Sequence, residues 1–147
     1  MNIADLMPAK NVLTHLRPAS KDEFLRELSL LAPPDPGLTG ETVLKALLAR
    51  EALGSTGMGK GVAMPHASIK HLKKPFAAFV RLERPVAYGA VDEKPVDLVF
   101  LLLTPEGGSR ENIAALAAMS RRLRDEKVVR AIRAARTAQG IYQELIA

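Results

Sequence analysis

The chain is predicted to be an α/β protein, one sheet with helices on both faces, forming a sandwich in a single domain that spans residues 1–147. Three observations predict this. Residues 76–82 are apolar on both faces apart from Arg81, and residues 98–103 are continuously apolar, which marks strands buried on two sides. Strands covered on both faces need helices above and below, and apolar residues at helical spacing flank these runs. The 147 residues, 48% of them hydrophobic, are enough for one packed core and too few for a second domain.

Taken in order, residues 11–16 alternate Val12, Thr14 and Leu16 with Leu13 and His15, the period of a short edge strand with His15 on its exposed face. Ser20-Lys21-Asp22-Glu23 is a capping box, in which Ser20 bonds the Glu23 amide and Glu23 bonds the Ser20 amide. Phe24, Leu25, Leu28 and Leu31 line the helix that follows, and Pro33-Pro34-Asp35-Pro36-Gly37 ends it in a rigid turn. Thr39 caps a second helix with an apolar stripe at Val43, Leu44, Leu47 and Leu48, and Gly54 suits its C-terminal end.

Residues 61–64 form a short strand with His66 just beyond its carboxyl end, where open α/β sheets bind ligands. Residues 70–74 are a charged connection in which His71 is solvated. Residues 88–92 make a turn and a short strand, with Asp92 and Asp97 in turn-stabilising roles. Gly107-Gly108-Ser109 leads into a third helix with Ser109 as cap and Ile113, Leu116, Ala117 and Leu123 facing inward. Asn112 then falls in the first turn, where the helix dipole favours an anion. Two short helices follow, one packed by Val128, Val129 and Ile132, the other capped by Thr137 and packed by Ile141, Tyr142, Leu145 and Ile146.

Composition excludes several chemistries. The chain has no cysteine, hence no disulfide, no thiolate metal site and no phosphocysteine. It shows no basic leader and no apolar stretch near the ~18 residues of a membrane span, so a cytoplasmic protein without membrane insertion is expected. Seven basic residues, Arg121, Arg122, Arg124, Lys127, Arg130, Arg133 and Arg136, lie close together in a chain of net charge +5. No aromatic residue interleaves them, so they suit a solvated helix face or a docking surface for an acidic protein better than a nucleic-acid interface.

The chemically richest stretch is residues 50–66, Arg-Glu-Ala-Leu-Gly-Ser-Thr-Gly-Met-Gly-Lys-Gly-Val-Ala-Met-Pro-His, with four glycines between Gly54 and Gly61. Such a loop can take positive φ and approach a ligand closely. Pro65 restricts Met64 to extended conformations and so directs His66. Arg50, the Ser55 and Thr56 hydroxyls and the loop amides are donors suited to phosphate. A neutral imidazole beside them can accept a phosphoryl group as a nucleophile. Position alone suits Arg50 equally as a cation at a helix C-terminus, and a histidine after proline also occurs simply exposed in turns.

Arg-Glu-x-x-Gly-Ser-Thr-Gly followed by Gly-Val-Ala-Met-Pro-His resembles the EIIA component of the bacterial phosphotransferase system, in the fructose/mannitol class that includes the nitrogen-regulatory EIIA proteins. Residues 85–100 resemble the second block of that family. The resemblance implies a mixed sheet of about five strands and phosphorylation of His66 at Nε2 by a phosphocarrier of the HPr/NPr type. Arg50, Ser55, Thr56 and Asn112 would bind the phosphoryl oxygens, with no metal or cofactor needed. Many members carry a second histidine at the position of Asn112; asparagine can donate a hydrogen bond there but brings no positive charge. Three uses of the phosphate follow: a regulatory EIIA acting on target proteins, a sugar-transport EIIA passing phosphate to a cysteine of EIIB, or a basic interaction domain with a vestigial site.

Overall fold

The computed structural model describes residues 2–32, 38–107 and 110–147. The turn expected at Pro33–Gly37 and the cap expected at Ser109 lie outside them. The molecule is built around strand β6 (Val96–Pro105), whose residues Leu98 to Leu103 are all fully buried. Because side chains alternate across a strand, Leu98, Phe100 and Leu102 enter one hydrophobic cluster while Val99, Leu101 and Leu103 enter another. Each such side chain contributes about 1.5–3 kcal/mol of transfer free energy, set against the entropy of ordering the chain.

On one edge of β6 runs β5 (Phe76–Val86), antiparallel, with β1 (Val12–Leu13) parallel beyond it. On the other edge β3 (Val62–Ala63) and β4 (His66–Ile69) pair with β6 one after the other, both parallel, and β2 (Gly57–Gly59) pairs antiparallel with β3. The sheet is therefore mixed, as expected, with six strands among the described residues. The additional strands arise because residues 57–69 contribute three short ones where a single strand was expected. Residues 88–92 contain none; Tyr88 is buried in a loop.

Helices α2 (Lys21–Ser29) and α3 (Gly40–Ala52) cover one face through Phe24, Leu25, Leu28, Val43 and Leu47. Helices α4 (Arg110–Arg124), α5 (Glu126–Ala134) and α6 (Ala138–Ile146) cover the other through Met119, Leu123, Ile132, Ile141 and Leu145. A one-turn helix, α1 (Ile3–Leu6), packs beside them. The expected caps are present at Ser20, Thr39 and Thr137, each side chain accepting from an amide three residues on. Glu23 differs from the expected box, its carboxylate accepting from the Ala19 amide at 3.1 Å in place of that of Ser20.

Helix α4 keeps much of the expected face, since Leu123 is buried and Leu116 packs against the core. Ala115 and Met119 join them inside, whereas Ile113, expected to face inward, is 71% exposed. In α3, Leu48 is likewise 40% exposed and the buried stripe is Val43 and Leu47. Among the described residues no helix is long and apolar enough to cross a membrane.

Candidate functional site

Helix α3 delivers Arg50 in its last turn. The helix closes with the Leu53 and Gly54 amides bonding back to the carbonyls of Arg50 and Glu51, and Gly54 follows at φ +147°, a conformation that favours glycine. Nη1 of Arg50 donates to the Gly54 carbonyl at 2.9 Å, so the guanidinium is braced against the turn that its own helix makes.

His66 lies just past the end of β3, as expected, and it also opens β4, with Leu102 of β6 as its register partner. Pro65 has no amide to give the ladder, so the edge is interrupted between β3 and β4 while its carbonyl accepts from the Leu102 amide at 3.1 Å. The imidazole is half-exposed and both ring nitrogens are engaged. Nδ1 lies 2.8 Å from the Met64 carbonyl, which can only accept, so Nδ1 carries the proton. Nε2 lies 3.4 Å from Nε of Arg50, which can only donate, so Nε2 holds the lone pair.

The ring borders two lobes of one groove. The first, of about 430 Å³, is lined by Arg50, Ser55, Met58, Ile113, Leu116 and Arg124. The second, of about 330 Å³, is lined by Ser68, Thr104, Asn112, Ile113 and Leu116. Arg50, Ser55 and Asn112 are thus brought round His66, the first two as the sequence of residues 50–66 suggests and Asn112 as the family resemblance implies. Ser55 Oγ accepts from the Gly57 amide at 3.0 Å, which leaves the hydroxyl proton available to a ligand. Exposed Ile113 borders both lobes, which accounts for its departure from the expected inner face of α4.

Thr56 departs from the expectation. The residue borders the groove, but it is 6% exposed and its hydroxyl is turned inward, donating to the carboxylate of Glu51 beside the Tyr88 hydroxyl, which lies 2.9 Å away. Its amide also bonds Glu51. A hydroxyl so engaged holds the loop and is not offered to an anion.

The glycines serve packing more than ligand approach. A Cβ on Gly57 would stand 2.7 Å from that of Ala90, one on Gly59 would meet the Asp92 carboxylate, and one on Gly61 would collide with Arg133. Gly59, Lys60 and Gly61 all have positive φ in the tight turn between β2 and β3. Asp92 ties that turn down, accepting from the Lys60 amide at 2.8 Å and the Lys94 amide at 3.1 Å. These hydrogen bonds hold its carboxyl below the usual carboxylate range.

Elsewhere, His15 and His71 are exposed, as expected. Of the seven clustered cations, Arg122 caps the Glu144 carbonyl and Arg133 clamps Asp97. Arg121, Arg124, Lys127, Arg130 and Arg136 face solvent. The residues that sequence reasoning passed over are Glu51, Tyr88, Ser68 and Thr104. Glu51 carried a signal, since an acid in the last turn of a helix opposes the dipole and needs compensation.

Residues 5–147 match the family described as phosphoenolpyruvate-dependent sugar phosphotransferase system, EIIA 2. The nitrogen regulatory protein of Bradyrhizobium diazoefficiens is 43% identical over 145 residues, covering 99% of this chain and 95% of its own. The crystal structure of nitrogen regulatory protein IIA-Ntr from Neisseria meningitidis superposes with a TM-score of 0.90 at 32% identity, covering 97% of this chain and 98% of that one. The Escherichia coli mannitol enzyme IIA, solved in complex with phosphorylated enzyme IIB, has a TM-score of 0.78 at 22% identity, covering 95% of this chain and 96% of that one, a likeness of fold alone.

Proposed function

The chain belongs to the EIIA 2 family of the phosphotransferase system, and from that premise we propose that it is a phosphohistidine phosphocarrier, charged on His66 by an HPr/NPr-type protein and regulatory in its output. The observation that carries the reading is the state of the ring: Nδ1–H is held by the Met64 carbonyl and the Nε2 lone pair is turned toward a guanidinium. A nucleophile needs an unprotonated nitrogen aimed in a fixed direction, and a phosphoryl group needs a cation beside its path.

In the step, the phosphorylated carrier docks over the groove and Nε2 attacks phosphorus in line. The P–Nε2 bond forms as the bond from phosphorus to the carrier breaks, and that electron pair leaves with the carrier. The Nδ1 proton stays on His66, shared with the Met64 carbonyl. Arg50 exchanges its long 3.4 Å contact to the ring for the phosphoryl oxygens, joined by the Ser55 hydroxyl and the Asn112 amide. Thr56 acts through the loop. Catalysis on this scheme is positioning and charge stabilisation.

The regulatory assignment is supported by the 43% identity to a nitrogen regulatory protein. A second reading, passage of the phosphate to a cysteine of an EIIB protein, is supported by the family's sugar-transport description and by the mannitol enzyme IIA complexed with its IIB partner. Incubation with a phosphorylated HPr/NPr-type carrier is expected to place one acid-labile label on the protein. Labelling that persists in His66→Ala overturns the assignment.

A further inference from the structure

The carboxylate of Glu51 lies behind the groove, outside the group of residues that would touch a phosphoryl group. Its side chain is 7% exposed and forms an ion pair with Lys21 at 2.8 Å. It accepts from the Thr56 amide at 3.2 Å, from the Thr56 hydroxyl and from the Tyr88 hydroxyl at 3.1 Å. The Lys21 ammonium also stands 4.3 Å from the centre of the Tyr88 ring, a cation–π contact that confines it further. Placing an acid in the final turn of α3 is unfavourable with respect to the helix dipole, and burying it adds desolvation. Four donors on one carboxylate offset both.

What these bonds hold is the path to the imidazole. The Thr56 carbonyl accepts from the Met64 amide at 3.0 Å, and the Met64 carbonyl accepts from Nδ1 of His66 at 2.8 Å. The same carboxylate fixes the far end of the loop whose near end, the Gly54 carbonyl, braces Arg50. One buried group is therefore connected by hydrogen bonds to the strand segment that selects the ring tautomer, and through Thr56 and the chain between residues 54 and 56 to the turn that places the guanidinium.

We propose that Glu51 is a positioning residue: anchored by Lys21 and Tyr88, it fixes the His66 tautomer through Thr56 and Met64 and keeps Arg50 beside Nε2. The consequence for transfer rate rests on the phosphocarrier reading; the consequence for the ring does not. A displacement of the ring or the guanidinium by a fraction of an ångström lowers the rate while leaving the docking surface as it was.

The test separates positioning from mere stability with the double variant Glu51→Gln/Lys21→Met, which removes the buried ion pair without leaving either charge unpaired. Melting temperature, ring ¹⁵N shifts of unphosphorylated protein, and kcat and KM for transfer from phosphorylated carrier are measured on the wild type and the variant. The expected result is a melting temperature restored toward the wild type relative to Glu51→Gln alone, a gain in the Nε2–H tautomer of His66, an unchanged KM and a kcat lower by about tenfold to a hundredfold. Wild-type ring shifts together with wild-type kcat overturn the proposal. Should the double variant not fold, Thr56→Val, which removes the hydroxyl half of the link between Glu51 and Thr56 and keeps the amide half, is read in the same way with a smaller expected effect. The ring shifts report on Glu51 even if the labelled residue proves not to be His66, so the two failures are distinguishable.

Discussion

Replacing Arg50 by alanine removes two interactions of different kinds. The 2.9 Å bond to the Gly54 carbonyl is a structural brace worth about 1 kcal/mol net, and its loss lowers the melting temperature by only about 2–4 °C in a chain of this size. The Nε–H directed at Nε2 of His66, 3.4 Å away, is a donor beside the nitrogen to which a phosphoryl group would bond. A charge-assisted hydrogen bond to such a group is worth about 1.5–3 kcal/mol. With the upper value, and each 1.36 kcal/mol equal to a factor of ten, transfer slows by about a hundredfold. Rapid-quench measurement of phosphoryl transfer from a phosphorylated HPr/NPr-type carrier is expected to show that fall in kcat with little change in KM. Arg50→Lys, which keeps the charge but loses the planar fork, falls between the two. A folded Arg50→Ala protein that transfers within about threefold of the wild type removes the guanidinium from the proposed chemistry.

Two further outcomes follow from packing and charge. Gly57→Ala places a methyl group 2.7 Å from the Cβ of Ala90 and 2.9 Å from its Cα, so backbone must move; thermal unfolding is expected to show a loss of about 1–3 kcal/mol. The Glu51 carboxyl is pushed up by burial, but hydrogen bonds from Lys21 and Thr56 outweigh this and hold it below its usual value of 4.5. A depressed carboxyl stabilises the fold above its unfolded pKa, and this stability is lost as pH falls from about 4.5 through the folded value. Thermal melts between pH 7 and pH 3 are therefore expected to show a shallower acid-side decline in Glu51→Gln than in the wild type, and equal slopes contradict the ion pair.

Much of the scaffold is written in local chemistry. The apolar run of β6 specifies a strand buried on both faces, and Ser20, Thr39 and Thr137 announce helix starts because a cap is a contact between near neighbours. What escaped the sequence depends on residues far apart in the chain. Thr56 reads as a phosphate donor beside Ser55; only the approach of Tyr88, 32 positions later, and of Glu51 turns its hydroxyl inward. The glycines of the loop read as a ligand cradle, yet Gly57 and Gly61 are small because Ala90 and Arg133 occupy the space. In α4, Ile113 reads as core because it shares a helical stripe with Leu116 and Leu123; only the groove beside His66 leaves it exposed while those two pack inward. His66 reads as lying beyond a strand because Pro65 ends one, while parallel pairing with β6 immediately begins another.

The seating of His66 within the central sheet constrains how such a protein could broadcast its phosphorylation state. Its backbone is stitched to the most deeply interred strand of the molecule, which leaves that backbone little travel to act as a lever. News of a phosphoryl group would have to be carried by what the surface displays, a dianion appearing on a basic field and a rearranged guanidinium. A listener would need to read the billboard directly, since the wall behind it stays still.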